Sequence, residues 1–268
     1  MHDDTPRLAG RGQVGLLQEQ EGKLDTNRGI AVVAGVAFLI ATLAQLVGVA
    51  LVSPILSGPD YLTRISANEN QVLLGALFLF IGALACTGIA LALYPVLRMY
   101  NHGLAIGSVG FRTIEGVLHS LIAVCWLLLV TLSQEAVNAG TPGSSAYEVP
   151  GAVLKAAPDW LAPLALLAFG AGALCYYWVF YRSRLIPRWL SAWGLVAIAL
   201  VMVSAFLVMF RLIEDFSTPQ LVLAAPIGVQ EMVLAVWLIA KGFNPSAIVA
   251  ESAGRTSMPR AAASGSAA

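Results

Sequence analysis

The stretch LAIGSVGFRTIEGVLHSLIAVCWLLLVT, residues 104–131, decides how the rest of the chain is read. Apart from Arg112, Glu115 and His119 it carries no charged or imidazole side chain, and it is apolar around its whole circumference. A helix crosses a ~30 Å hydrocarbon core with roughly 20 residues, so this run is long enough to span. Lipid offers no partner to backbone N–H and C=O groups, which leaves only helices and closed barrels. The run does not alternate apolar with polar residues, which speaks against a barrel strand.

Five similar runs lie around it, at about 29–55, 71–97, 160–180, 189–210 and 220–240. The 268 residues are 58% hydrophobic and 11% charged, too few charges to clothe a soluble domain of this size. The net charge is zero, which gives no footing to a nucleic-acid partner. The expected architecture is an all-α membrane protein with six transmembrane helices over residues 28–244. Residues 1–27 and the Ala/Ser/Gly-rich 245–268 are expected to be flexible tails. The first run is too long, and too far from the N-terminus, for the apolar part of a cleaved signal peptide.

Lysine and arginine set the expected orientation. Eleven collect on one face: Arg7, Arg11, Lys23 and Arg28, then Arg98, then Arg182, Arg184 and Arg188, then Lys241, Arg255 and Arg260. The other face has only Arg64, Lys155 and Arg211. The positive-inside rule then places both termini in the cytoplasm. The longest connection, about 132–159, falls outside, with a turn at 140–145, a short surface helix over 148–157 and Asp159 capping the fourth span. Tyr176, Tyr177, Trp178, Tyr181, Trp189 and Trp193 bracket Arg182, Arg184 and Arg188. They read as an aromatic belt with cytoplasmic anchors, or more sharply as a lipid-headgroup interface at those three arginines.

Only three charged residues lie inside spans: Arg112 and Glu115 in the third and Glu231 in the sixth. At 100° per residue, Arg112, Glu115 and His119 fall within an arc of about 60°. Ser108 and Trp126 share that stripe. Glu115 and Glu231 are each ~15 Å from the basic end of their helices, close to the midplane. An arginine and a carboxylate at a helix centre cost roughly 5–7 kcal/mol together, against about 4–8 kcal/mol returned by the apolar residues of that span. The charges therefore need partners, and the economical pairing places Arg112 between Glu115 and Glu231. Pro226 and Gly228 interrupt the sixth span one turn before Gln230 and Glu231, which predicts a kink and freed backbone there.

Intramembrane ionisable residues usually mark function. The site read from the sequence is thus a ligand or proton site formed by Arg112, Glu115, His119, Gln230 and Glu231. An Arg–Glu pair that only ties helices together is the plain alternative. Three function classes stay open: binding or transport of a small or amphiphilic ligand or of protons, an intramembrane enzyme using a buried glutamate as acid/base, and a non-catalytic assembly subunit. The first is favoured, because no nucleophile or catalytic residue stands out. HExxH, GxSxG, Walker A and GxGxxG motifs are absent, so no cofactor and no metal are expected. Cys86, Cys125 and Cys175 are widely spaced within spans. The partners expected are the lipid bilayer and a small-molecule or lipid ligand.

Several segments carry a resemblance. Phe111-Arg112 with Glu115-Gly116, Tyr181-Arg182-Ser183 with Pro187, Glu231-Met232 through Trp237-Leu238, and Lys241-Gly242-Phe243-Asn244-Pro245 resemble a bacterial membrane family, the domain-of-unknown-function family 4386. The resemblance covers about 28–247. It implies a polytopic membrane protein without an assigned activity, in which Arg112, Glu115 and Glu231 belong to the family pattern. It does not extend to His119 and brings no catalytic residues.

Overall fold

The computed structural model describes residues 5–215 and 217–249, all of them in helices or short connections. The elements are α1 (Thr5–Leu56), α2 (Tyr61–Ala67), α3 (Glu69–Tyr100), α4 (His102–Asn138), α5 (Ser145–Ser183), α6 (Arg188–Met209) and α7 (Thr218–Ala240). Six of them are long and apolar enough to cross a membrane: Leu24–Leu56 of α1, and the whole of α3 to α7. The expected all-α fold with six spanning helices is what the chain forms. The polar residues from Thr5 to Asn27, expected as a tail, continue α1 upstream of its membrane-crossing part. They are rich in Leu, Gln, Glu, Lys and Arg, all good helix formers, and no proline follows Pro6. Of the flexible C-terminal tail expected over 245–268, residues 245–249 are instead helical, because the Ile248 side chain packs into the buried core; the remainder lies outside the described residues.

Each spanning helix packs against its neighbours in sequence, and α7 returns to α1, so the six close a ring. Small residues set how closely the walls approach. A Cβ at Gly35 would stand 2.7 Å from the Ala235 carbonyl oxygen, where α1 meets α7. One at Gly116 would stand 2.8 Å from the Ala83 carbonyl oxygen, where α4 meets α3. Arg28, at the foot of the membrane-crossing part of α1, closes the ring electrostatically. Its guanidinium donates to the carbonyls of Leu238 (3.2 Å), Ile239 (2.7 Å) and Ala240 (3.3 Å), which the end of α7 leaves without intrahelical partners.

The connections are shorter than the sequence reading expected. Asn101 alone joins α3 to α4, and its side chain accepts the Leu104 N–H at 3.0 Å as an N-cap. The long outer connection expected over 132–159 is instead mostly helix. α4 runs on to Asn138 and α5 starts at Ser145, passing through Pro150, Pro158 and Pro163. Asp159 therefore sits inside α5 and caps nothing. Packing is the reason: these outer turns lean on α2, an element the hydropathy pattern did not announce. The Ser133 hydroxyl donates to the Leu62 carbonyl, Lys155 lies 4.7 Å from the Tyr61 ring centroid, and Gly151 leaves room for the Tyr61 hydroxyl. α7 passes through Pro226 without a break in helix.

Two buried apolar clusters fill the ring. One gathers around Tyr176, Tyr177 and Phe180 of α5 with Phe38, Leu93, Leu97 and Phe243. The other gathers around Trp126 and Leu129 of α4 with Val52, Leu62, Val72 and Leu79. On α4 the first cluster holds Ala105 and the second resumes at Ile122. Arg112, Glu115 and His119 fall between them. The outward faces carry Leu, Ile and Val, as Ile106, Ile114, Val117 and Leu121 do on α4.

Candidate functional site in the polar layer

Arg112 and Glu115 are 2% and 4% exposed, one turn apart on the inner face of α4. The Arg112 Nη1 lies 2.9 Å from Glu115 Oε2, and its Nε donates to the Cys86 carbonyl of α3 at 3.2 Å. The guanidinium stands 5.0 Å from the Phe169 ring centroid on α5. Gly172 makes room for its aliphatic stem, since a Cβ there would come within 3.0 Å of Arg112 Cγ. Three helices thus build one socket for one guanidinium. A charge at this depth persists only when paired and sheltered.

Glu231 is placed differently. It is half-buried, and it receives the Tyr176 hydroxyl of α5 at 3.5 Å, the outer limit of a hydrogen bond. The pairing of Arg112 with Glu115 forms as expected, while Glu231 is not within ion-pair distance of Arg112. Gln230 is fully buried and ties three helices. Its Nε2 donates to the Leu190 carbonyl of α6 at 3.1 Å, and its Oε1 accepts the Tyr177 hydroxyl of α5. His119 is half-buried, and its Nδ1 has no hydrogen-bond partner among the described residues. The Ser108 hydroxyl, on the same stripe and fully buried, has none either.

Sequence reasoning did not find three participants. Tyr176 and Tyr177 read as interfacial belt residues, yet both are fully buried, with ring centroids 4.6 Å apart and hydroxyls turned to Glu231 and Gln230. A signal for them existed: they sit about 9 Å of helix rise inward of Arg182, too deep for a headgroup belt. Cys86 is the third. Gln45 of α1 donates to its sulfur at 3.2 Å. Cys86, Glu115 and His119 offer sulfur, oxygen and nitrogen ligand atoms within 4.8 Å of one another. Zinc or copper accepts that donor set. The Arg112 guanidinium already faces the carboxylate, however, and repels a cation there.

The basic residues 182–188 do not form one patch. Arg182 lines a groove with Tyr100, Asn101, Leu104 and Trp178. Arg184 and Arg188 line another, of about 630 Å³, with Trp237, Lys241 and Phe243.

A closed ring of six apolar helices around a thin layer of buried charge defines a multi-pass integral membrane protein. A family model described as Domain of unknown function (DUF4386) matches residues 33–242, and the chain belongs to that family. The match contains every residue of the polar layer and all but the last residues of the second basic groove. No curated protein and no solved structure matches the chain.

Proposed function

We propose that the protein binds a small or amphiphilic ligand, or exchanges protons, at the polar layer, with Glu231 as the group that does so. Its expected setting is the plasma membrane of a bacterium, with both termini in the cytoplasm. One observation carries the reading: Arg112 faces Glu115, which leaves Glu231 half-buried within the sixth spanning helix with a 3.5 Å contact to Tyr176. A carboxyl group at that depth without a cationic neighbour at contact distance holds a proton or a cationic ligand. The His119 Nδ1 and the Ser108 hydroxyl on α4 add polar capacity to the layer. In this reading Arg112 and Glu115 hold the frame while Glu231 changes its occupant.

Reconstituted liposomes carrying an internal pH-sensitive dye test the proton arm under an imposed membrane potential. Equilibrium binding of tetraphenylphosphonium, an amphiphilic cation, tests the ligand arm. Glu231→Gln is expected to abolish whichever activity the wild type shows, with its helical spectrum and melting behaviour retained. A wild type active in neither assay, or a Glu231→Gln variant as active as wild type, overturns the proposal.

A further inference from the structure

We infer that the groove between the α5–α6 turn and the end of α7 is a binding site for the phosphate of an anionic phospholipid. Arg184, Arg188 and Lys241 line it, and no acidic side chain does. All three are exposed, and none has a carboxylate within ion-pair distance among the described residues. Arg188 leans on the Tyr181 ring at 5.6 Å, which orients its guanidinium while leaving its N–H groups free for an anion.

The backbone is shaped for the same purpose. Arg184 ends α5 in the left-handed conformation at φ 58°, and Gly242 ends α7 at φ 73°. The two turns are pinned together, with the Asn244 N–H donating to the Leu185 carbonyl at 2.8 Å. α6 starts at the groove with Pro187 in the capping position, which supplies no capping side chain. The N–H groups of Arg188 and Trp189 precede the first intrahelical bond, and the helix N-terminus adds a positive field. The opposing field from the end of α7 is already met by Arg28, which takes the carbonyls of Leu238 to Ala240. The groove's own cations are therefore not needed for capping.

A lipid rather than a soluble phosphate is the occupant because the groove reaches inward. Trp237 lies one helical turn, ~6 Å, closer to the membrane centre than Lys241 and lines the same groove. Trp189, exposed beside it, suits the headgroup level. A phosphate held at the rim would thus have its glycerol and chains beside apolar surface. This site is separate from the polar layer and stands or falls without the reading given for Glu231.

Native mass spectrometry of the delipidated full chain, titrated with phosphatidylglycerol or phosphatidylcholine, tests it. The wild type is expected to take up phosphatidylglycerol in preference. Arg184→Gln/Arg188→Gln is expected to bind it at least tenfold more weakly. Arg98→Gln/Arg182→Gln removes two cations from the same face outside the groove and is expected to stay within twofold of wild type. Equal losses in both double variants would show diffuse charge attraction and overturn the proposal, as would absence of lipid preference. Millimolar inorganic phosphate displacing the lipid completely would mark a soluble anion as the occupant and overturn the lipid assignment. Should the groove variant fail to fold, Lys241→Gln serves in its place. It lies beyond the last helical residue, and a severalfold loss of binding with an unchanged melting temperature is expected.

Discussion

Breaking the Arg112–Glu115 pair and removing it whole should have very different consequences, and the structure sets the size of the difference. The contact is 2.9 Å, and both side chains are almost fully withdrawn from the surface. With charge centres about 4 Å apart, the attraction is roughly 4 kcal/mol at an effective dielectric constant of about 20. Arg112→Met also discards the bond to the Cys86 carbonyl and the contact with the Phe169 ring, and it strands the Glu115 carboxylate. Losing one member of a buried pair costs about 3–5 kcal/mol, and the same range applies to Glu115→Leu, which strands the guanidinium. The double variant Arg112→Met/Glu115→Leu strands no charge, and Gly172 still leaves room for the methionine stem. It should fall within about 2 kcal/mol of wild type. The single losses are then non-additive by roughly 4 kcal/mol or more. Reversible unfolding in bicelles, followed through a full double-mutant cycle, measures this. Additive losses, or single losses below about 1 kcal/mol, would refute the claim that this pair holds the centre of the ring.

Three other perturbations probe the same framework. Gly116→Val drives a side chain against the Ala83 carbonyl oxygen, only 2.8 Å from where its Cβ would be, so α3 and α4 must separate; overpacking of this kind costs about 1–3 kcal/mol, read as a lower melting temperature in detergent. Tyr177→Phe leaves the Gln230 Oε1 without its donor, and a loss of about 1–3 kcal/mol is expected in the same melt, whereas Tyr181→Phe, at the partly exposed end of α5, should change little. Outside the spans, burial and then Glu148 hold the Tyr61 hydroxyl above its ordinary pKa of 10.0. A group whose folded pKa is raised contributes stability below its unfolded pKa and loses it as pH rises through the folded one. Unfolding free energy should therefore decline above about pH 10, and Tyr61→Phe should flatten that alkaline arm.

The site was half legible in the sequence. Arg112, Glu115 and Glu231 stand out because charge inside an apolar run is rare and costly, and helical periodicity puts the first two on one face. The Arg112–Glu115 pair was legible too, but the partner of Glu231 was not: Tyr176 takes the place expected for Arg112. The single-residue link at Asn101 and the close crossing at Gly116 fix the register of α3 against α4, and that register brings the Cys86 carbonyl to Arg112. Glu231 turns to Tyr176 because the α5–α6–α7 packing carries the tyrosines inward. Tyrosine is at home both at an interface and as a buried donor, so its residue type alone did not choose between them.

By itself the sequence determined that this chain is built from membrane-spanning helices, how many there are, and which three charges lie among them. Those follow from the length of the apolar runs and from the cost of unpaired backbone and charge in hydrocarbon, which are local properties. Only the tertiary structure decided that the helices close into a ring, that Glu231 faces Tyr176 rather than Arg112, and that Arg182 parts company with Arg184 and Arg188. It also turned the long outer connection into helix by giving its polar turns α2 to pack on. These outcomes depend on which faces meet. Lipid and a neighbouring helix are equally apolar to a leucine, so hydrophobicity does not choose among them; small residues, hydrogen bonds and paired charges do.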